Sequence, residues 1–156
     1  SERNMLILKL FLTYGLRLDE LVQLNIDSIN TEKNEIKVYR KRGKIAKFPI
    51  TDEIQQLLDQ YLTSERKQLV RKSERALFIS RQGNRLSPKA VENMVYEFCD
   101  VSPHKLRATC ASQLIEQGFD IYDVMEYMDH DSPETTMLYA RTKKNNKEKI
   151  LRDFKI

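Results

Sequence analysis

Three times in the second half of this chain a serine stands directly before a proline: Ser87-Pro88, Ser102-Pro103 and Ser132-Pro133. A serine hydroxyl accepts a hydrogen bond from a free amide of the first helical turn, and a proline at the first helical position has no amide to leave unpaired. Each pair therefore predicts a helix start. The helix from Pro103 is expected to reach about Gln117 and stop at Gly118. Asp120 caps the next one, which ends near Met128. Half the chain is thus committed to short helices joined by tight connections.

The first half adds a different element. Residues 4–12 carry Met5, Leu8 and Leu12 with Ile7 and Phe11, a helical pattern with a wide apolar face, and Gly15 ends it. A short helix is expected over 18–24. Residues 35–40 and 45–50 read as two strands around Arg42-Gly43-Lys44, a β-hairpin. Thr51 caps a long helix running to about residue 70, with Ile54, Leu57, Leu58, Tyr61 and Leu62 on its inner face. A short strand at 77–80 and a turn at Gly83-Asn84 follow. The fold class is α+β, mainly helical, with a small antiparallel sheet, in one domain spanning 1–156. A tail helix is expected over 145–156, apolar at Ile150, Leu151 and Phe154.

Composition excludes more than it assigns. With 156 residues, 40% hydrophobic and 32% charged, the chain has the makeup of a globular domain with a real core. The apolar stretch at 5–12 is too short for a membrane span and lacks the cleavage site of a signal peptide. Cys99 and Cys110 read as free, reduced thiols in a cytosolic setting. No metal-binding spacing and no phosphate-binding glycine loop is present, so neither metal nor cofactor is expected. The net charge of +4 is a weak hint of a polyanionic partner, but its distribution is sharper. Between Lys37 and Lys47 stand six basic residues, Lys37, Arg40, Lys41, Arg42, Lys44 and Lys47, and no acidic one.

The residues that carry chemistry come in three groups. Thr13-Tyr14-Gly15-Leu16-Arg17-Leu18-Asp19-Glu20-Leu21 lies near the start. Pro103-His104-Lys105-Leu106-Arg107 puts a histidine and an arginine three apart on one helix, able to meet one group. Met128-Asp129-His130 is followed, nine residues after His130, by Tyr139. Taken alone, each has a plainer reading: Arg17 as a salt bridge to Glu20, His104 and Arg107 as surface groups, His130 as a loop histidine and Tyr139 as a core tyrosine. In this order they resemble the tyrosine recombinase (phage integrase) family, and the resemblance covers essentially the whole chain. It implies a catalytic domain preceded, in the complete protein, by an amino-terminal DNA-clamping domain.

The resemblance implies roles for individual residues. Tyr139 is the nucleophile toward a DNA phosphate, giving a 3′-phosphotyrosyl link. Arg17 and Arg107 clamp the non-bridging oxygens, His130 bonds the same phosphate, and His104 orients the tyrosine or takes its proton. A hairpin lysine protonates the leaving 5′ oxygen. Counting back from Phe48-Pro49-Ile50 selects Lys41, with Lys44 as the competitor across the turn. Lys37, Arg40, Arg42, Lys44 and Lys105 are the expected DNA contacts. The expected partners are double-stranded DNA, a homotetramer formed on it from monomers, and an accessory DNA-bending protein, in a bacterial or phage-encoded, nucleoid-associated cytoplasmic setting. A topoisomerase-like nicking and closing enzyme and a DNA-binding regulator without catalysis are the alternatives. The chain departs from the family's usual pattern where Asp129 replaces the glycine before the histidine and Asp131 the small polar residue after it. Both put negative charge beside a phosphate site.

Overall fold

The computed structural model describes residues 1–71 and 74–129. Its centre is α1 (Glu2–Tyr14), which buries Leu6, Ile7, Leu10, Phe11 and Tyr14. Ser1 caps it, and Gly15, in the left-handed region at φ 63°, returns its amide to Phe11 O. A short α2 (Leu18–Val22) and a 3₁₀ turn (Ile26–Ser28) lead into the sheet. This is β1 (Ile29–Asn30), β2 (Glu35–Tyr39) and β3 (Ile45–Pro49), antiparallel in sequence order. The expected hairpin is therefore β2–β3, joined by β1 at one edge. Ile36 and Val38 point into the core. Lys37 lies on the other face directly across from Lys47.

The expected helix over 51–70 is present as one continuous helical run with a π-bulge inside it. Thr51 accepts from the Ile54 amide and starts α3 (Asp52–Gln60), and a π-turn (Tyr61–Glu65) joins it to α4 (Arg66–Leu69). The turn aims two polar side chains inward. Tyr61 donates to Leu77 O at 2.8 Å, and Arg66 donates to the carbonyls of Glu74 and Ala76 at 2.9 and 2.8 Å. Arg3 donates to Ile79 O at 3.0 Å. Those bonds also explain why residues 77–80 form no strand. The Leu77 and Ile79 carbonyls are taken by side chains and that of Phe78 by the Leu86 amide, and the pairing is reduced to the single bridges Asn25–Ala76 and Ile79–Arg85.

The later helices start where the sequence places them. Ser87 caps α5 (Pro88–Cys99) by accepting from the Ala90 amide, Ser102 caps α6 (Pro103–Glu116) by accepting from Lys105, and Asp120 caps α7 (Ile121–Met128) by accepting from Tyr122 at 2.8 Å. The helix at Pro133 and the tail at 145–156 lie outside the described residues. α6 and α3 pack on α1, α5 packs on α2, and α7 packs on α6. Among the described residues no helix is long and apolar enough to cross a membrane.

Candidate active site

Every expected catalytic residue within the described part stands on an element that converges on the carboxy-terminal end of α7 or on the hairpin beside it. Arg17 is placed by the turn at Gly15. It is the extended residue just before α2, and its own amide donates to Glu20 Oε1 at 2.8 Å. Gly15 is doubly constrained, because a Cβ there would also overlap Sδ and Cε of Met128. Arg107 lies in the second turn of α6 and is only 5% exposed. Its Nη1 donates to Gly15 O and its Nη2 to Met128 O. Arg17 Nη2 donates to the next carbonyl, Asp129 O, at 2.7 Å.

The last carbonyls of a helix have no partner within it and carry the negative end of its dipole. Here two guanidinium groups fill that place. The same two arginines therefore fix the end of α7 and the residue bonded to His130.

The hairpin reaches this point from the other side. Phe48 on β3 is wedged between Tyr14 and Tyr127, with both ring centroids 5.1 Å away. Tyr14 in turn donates to Pro49 O at 2.8 Å, and Tyr127 to Thr13 O at 2.6 Å. Burial pushes both hydroxyls above the ordinary tyrosine range, Tyr127 further. These two phenols are structural donors. At the tip, residues 41–43 form a 3₁₀ turn with Arg42 at φ 62°. Lys41, Arg42 and Lys44 are all exposed there.

Lys44 is the hairpin lysine that reaches the cluster. Its Nζ donates to Asp129 Oδ1 at 3.3 Å, while the other carboxylate oxygen, Oδ2, lies 3.6 Å from Arg17 Nη1. Lys41 stands in the exposed turn, three residues earlier.

Arg40 corrects the sequence-based expectation. Instead of standing exposed with Lys41, Arg42 and Lys44 it is 8% exposed and turned inward. Its Nη1 donates to Tyr127 O at 3.0 Å, its Nε lies 3.4 Å from Glu20 Oε2, and its guanidinium lies 5.3 Å from the Phe48 ring centroid. The reason is Glu20. This carboxylate is 3% exposed and is held by the Arg17 amide, with Arg17 Nη1 3.8 Å and Arg40 Nε 3.4 Å away. A buried carboxylate needs cations, and Arg40 supplies one. The ion pair between Arg17 and Glu20 is thus present, but as one edge of a larger network.

Of the other expected contacts, Lys37 is half-buried on β2, and His104 and Lys105 are exposed in the first turn of α6. His104 lies three residues before Arg107, near the helix start. His130 and Tyr139 lie outside the described residues.

Sequence reasoning missed Glu20 as a shared anchor, and it saw Asp129 only as a departure. The backbone of Asp129 is left-handed, φ 51°, a conformation that suits glycine and that aspartate is one of the few other residues to tolerate. Partial burial pushes the Asp129 carboxyl up. The hydrogen bond from Lys44 and the charges of Lys44, Arg40 and Arg17 outweigh that and hold it below the usual carboxylate range. The spacing of charges along the sequence gives no sign of this cluster, because its members come from four separate segments.

The chain is similar to known proteins over most of its length. The chain is 32% identical over 147 residues to the tyrosine recombinase XerC of Roseiflexus castenholzii, an alignment covering 88% of this chain and 47% of that protein. It is 29% identical over 160 residues to the tyrosine recombinase XerD of Staphylococcus haemolyticus, covering 97% and 54%. The chain thus spans about half the length of the curated relatives it matches. The crystal structure of XerA recombinase shares the fold with a TM-score of 0.82 at 24% identity, covering all of this chain and 60% of that one. A post-cleavage complex of XerH site-specific recombinase with a palindromic difH substrate gives 0.75 at 25% identity, covering 96% and 45%. Residues 1–146 match the phage integrase family, and the chain belongs to that family.

Proposed function

We propose that this chain is the catalytic domain of a site-specific DNA recombinase that cuts and rejoins DNA through a 3′-phosphotyrosyl intermediate. The observation that carries this reading is the convergence of Arg17 and Arg107 on the end of α7, one residue before His130, with the hairpin lysine Lys44 meeting them from the opposite side.

The chemistry follows from those residue types. Tyr139 Oη attacks the scissile phosphorus, forming a tyrosyl phosphoester to the 3′ strand as the bond to the 5′ oxygen breaks. A phenol is a weak nucleophile at neutral pH, with an ordinary pKa near 10. His104 takes its proton. Two guanidinium forks and His130 then meet the charge that grows on the non-bridging oxygens, in a geometry fixed before the substrate arrives. A hairpin lysine gives its proton to the leaving 5′ oxygen. The 5′ hydroxyl of a partner strand reverses the sequence, attacking the phosphotyrosine and restoring the tyrosine. Each bond broken is matched by one formed, so the step needs no external energy source.

Two lysines compete for the proton-donor role. Lys41 is in register when counted from Phe48-Pro49-Ile50, whereas Lys44 is the one at the cluster. The exposed turn at Lys41–Gly43 and the facing pair Lys37 and Lys47 supply phosphate contacts beyond the cut site. Like charges directly opposed across a hairpin repel, and a phosphate between them relieves this. Lys105 at the start of α6 adds to the same surface. Arg40 acts from beneath, through Glu20 and the end of α7. The recombining form is a tetramer on double-stranded DNA, assembled in a nucleoid-associated, cytoplasmic setting with an accessory DNA-bending protein.

The test is covalent trapping of the full-length protein on a nicked suicide duplex. The native protein is expected to give a DNA adduct that survives denaturation, and Tyr139→Phe none, with DNA binding retained. An adduct formed by Tyr139→Phe overturns the reading.

A further inference from the structure

The site already contains an anion. The Asp129 carboxylate puts one oxygen 3.3 Å from the Lys44 ammonium and the other 3.6 Å from Arg17 Nη1. Arg17 is one of the cations to which the preceding section assigns the scissile phosphate, and Lys44 is one of its two candidates for protonating the leaving oxygen. Its side chain is 14% exposed, whereas that of Lys44 is 57% exposed. The carboxylate is therefore set into the site while its lysine partner belongs to the exposed face of a turn.

Three further features make this contact a device. First, the hairpin is anchored on both sides of its turn while the turn itself is not: Phe48 on β3 and Arg40 just after β2 are locked against Tyr14, Glu20 and Tyr127. The turn at 41–43 is exposed throughout, and Lys44 ties it to α7 through Asp129. Second, an open cleft of about 650 Å³ separates β3 from α7 and is lined by Lys44, Phe48, Glu126 and Asp129. The ion pair thus connects groups on its opposite walls. Third, the carboxylate sits on a left-handed residue where its backbone carbonyl is already committed to Arg17, so the side chain is presented from a fixed point.

We infer that Asp129 is an internal stand-in for the phosphate. Without DNA its carboxylate holds Lys44 and Arg17 together and keeps the hairpin tip down on α7. A DNA phosphate entering the site displaces the carboxylate and releases the tip to follow the DNA. The inference rests on the proposed DNA-phosphate site. Its cost is competition, since one negative charge must be moved aside before another binds. Its benefit is that the two cations are held near their working positions beforehand.

The test uses full-length native protein, Asp129→Asn and Asp129→Gly. Both replacements tolerate the left-handed backbone, so a fold retained by either suffices. Two readouts are taken: hydrogen exchange of the 41–44 amides without DNA, and the Kd for a random-sequence duplex at fixed salt. Loss of the carboxylate is expected to speed exchange in the hairpin turn, and duplex added to native protein to do the same. The Kd is expected to fall roughly threefold or more, the scale of a partly screened charge repulsion. Lys44→Met is expected to match Asp129→Asn in exchange, with no further increase in the double variant. Unchanged hairpin exchange, weaker duplex binding by Asp129→Asn, or additive effects of the two variants would overturn the inference. The exchange measurement needs no cleavage. Failure of covalent trapping with normal hairpin release therefore counts against the catalytic reading and leaves the latch standing.

Discussion

Arg107 and Lys44 meet the same end of α7 from opposite sides, yet they are held in opposite ways. Arg107 is 5% exposed, and its donors are bound to carbonyls of two separate segments, Gly15 and Met128. Lys44 hangs from an exposed turn by one side-chain contact. The difference matches the roles proposed for a phosphate-clamping arginine and for a proton-donating hairpin lysine, of which Lys44 is one of two candidates. A group that stabilises charge in a transition state gains from being fixed before the reaction, because no reorganisation is then needed. A group that delivers a proton to an oxygen leaving with one strand needs reach. Rigidity on one side and freedom on the other are both written into the packing.

The largest expected effect lies on the rigid side. In the proposed role Arg107 clamps the scissile phosphate, so cleavage by Arg107→Ala should fall a hundredfold or more, equivalent to about 3 kcal/mol. Arg107→Lys should remain poor, because a single ammonium cannot hold the Gly15 and Met128 carbonyls in one fork. Single-turnover cleavage of a nicked duplex checks both. Near-native rates for Arg107→Ala would erase the contrast.

Gly15→Ala should be next. It forces a side chain into a left-handed backbone and into Met128, and so moves the loop that carries Arg17. A loss of roughly 1–3 kcal/mol in denaturant unfolding is expected. A replacement in the exposed turn, Arg42→Gly, should leave stability nearly unchanged, since Arg42 already occupies that region of φ at a solvent-facing site.

A smaller effect concerns pH. The Asp129 carboxyl is held below its ordinary range in the folded protein, so folding favours its charged form. Its contribution is then fully present above the ordinary carboxylate value near 3.8 and is lost as pH falls through the lowered one. The stability difference between native protein and Asp129→Asn should be flat from about pH 5 to 8 and shrink only in stronger acid. A difference that already declines at pH 6 would mean that another group controls the contact.

The smallest effect is chemical. The Cys110 thiol is pushed up to about 11 by burial, only partly offset by Arg107, whereas Cys99 is exposed. A thiol reagent at pH 8 should modify Cys99 at once and Cys110 on the order of a hundredfold more slowly, as two pH units of lost thiolate require. Equal rates would show that the α1–α6 contact opens readily.

What the sequence discloses is decided by distance along the chain. The caps at Ser87, Ser102, Thr51 and Asp120 are legible because donor and acceptor lie within three residues. The hairpin is legible because its strands adjoin. The π-turn at Tyr61–Glu65 is not, because its cause is a set of carbonyls at 74–77 that Tyr61 and Arg66 satisfy. The failed strand at 77–80 is the same event seen from the other side. Arg40 was expected among its exposed basic neighbours; only Glu20, twenty residues earlier and on another element, draws it inward. Asp129 stands out in sequence as a departure, but its two cations come from α2 and the hairpin, so its use is visible only in the fold.

The division between a fixed arginine side and a proton-donating hairpin is tested most directly by a substrate with sulfur in place of the bridging 5′ oxygen at the scissile phosphate. A thiolate leaves without a proton, so the hairpin becomes dispensable while the phosphate clamp does not. Cleavage rates of Lys41→Ala, Lys44→Ala and Arg107→Ala are compared on the oxygen and sulfur duplexes. One of the two lysine variants should recover to near the native rate on sulfur, and Arg107→Ala should stay impaired on both. Rescue of Arg107→Ala, or rescue of neither lysine variant, would contradict the account.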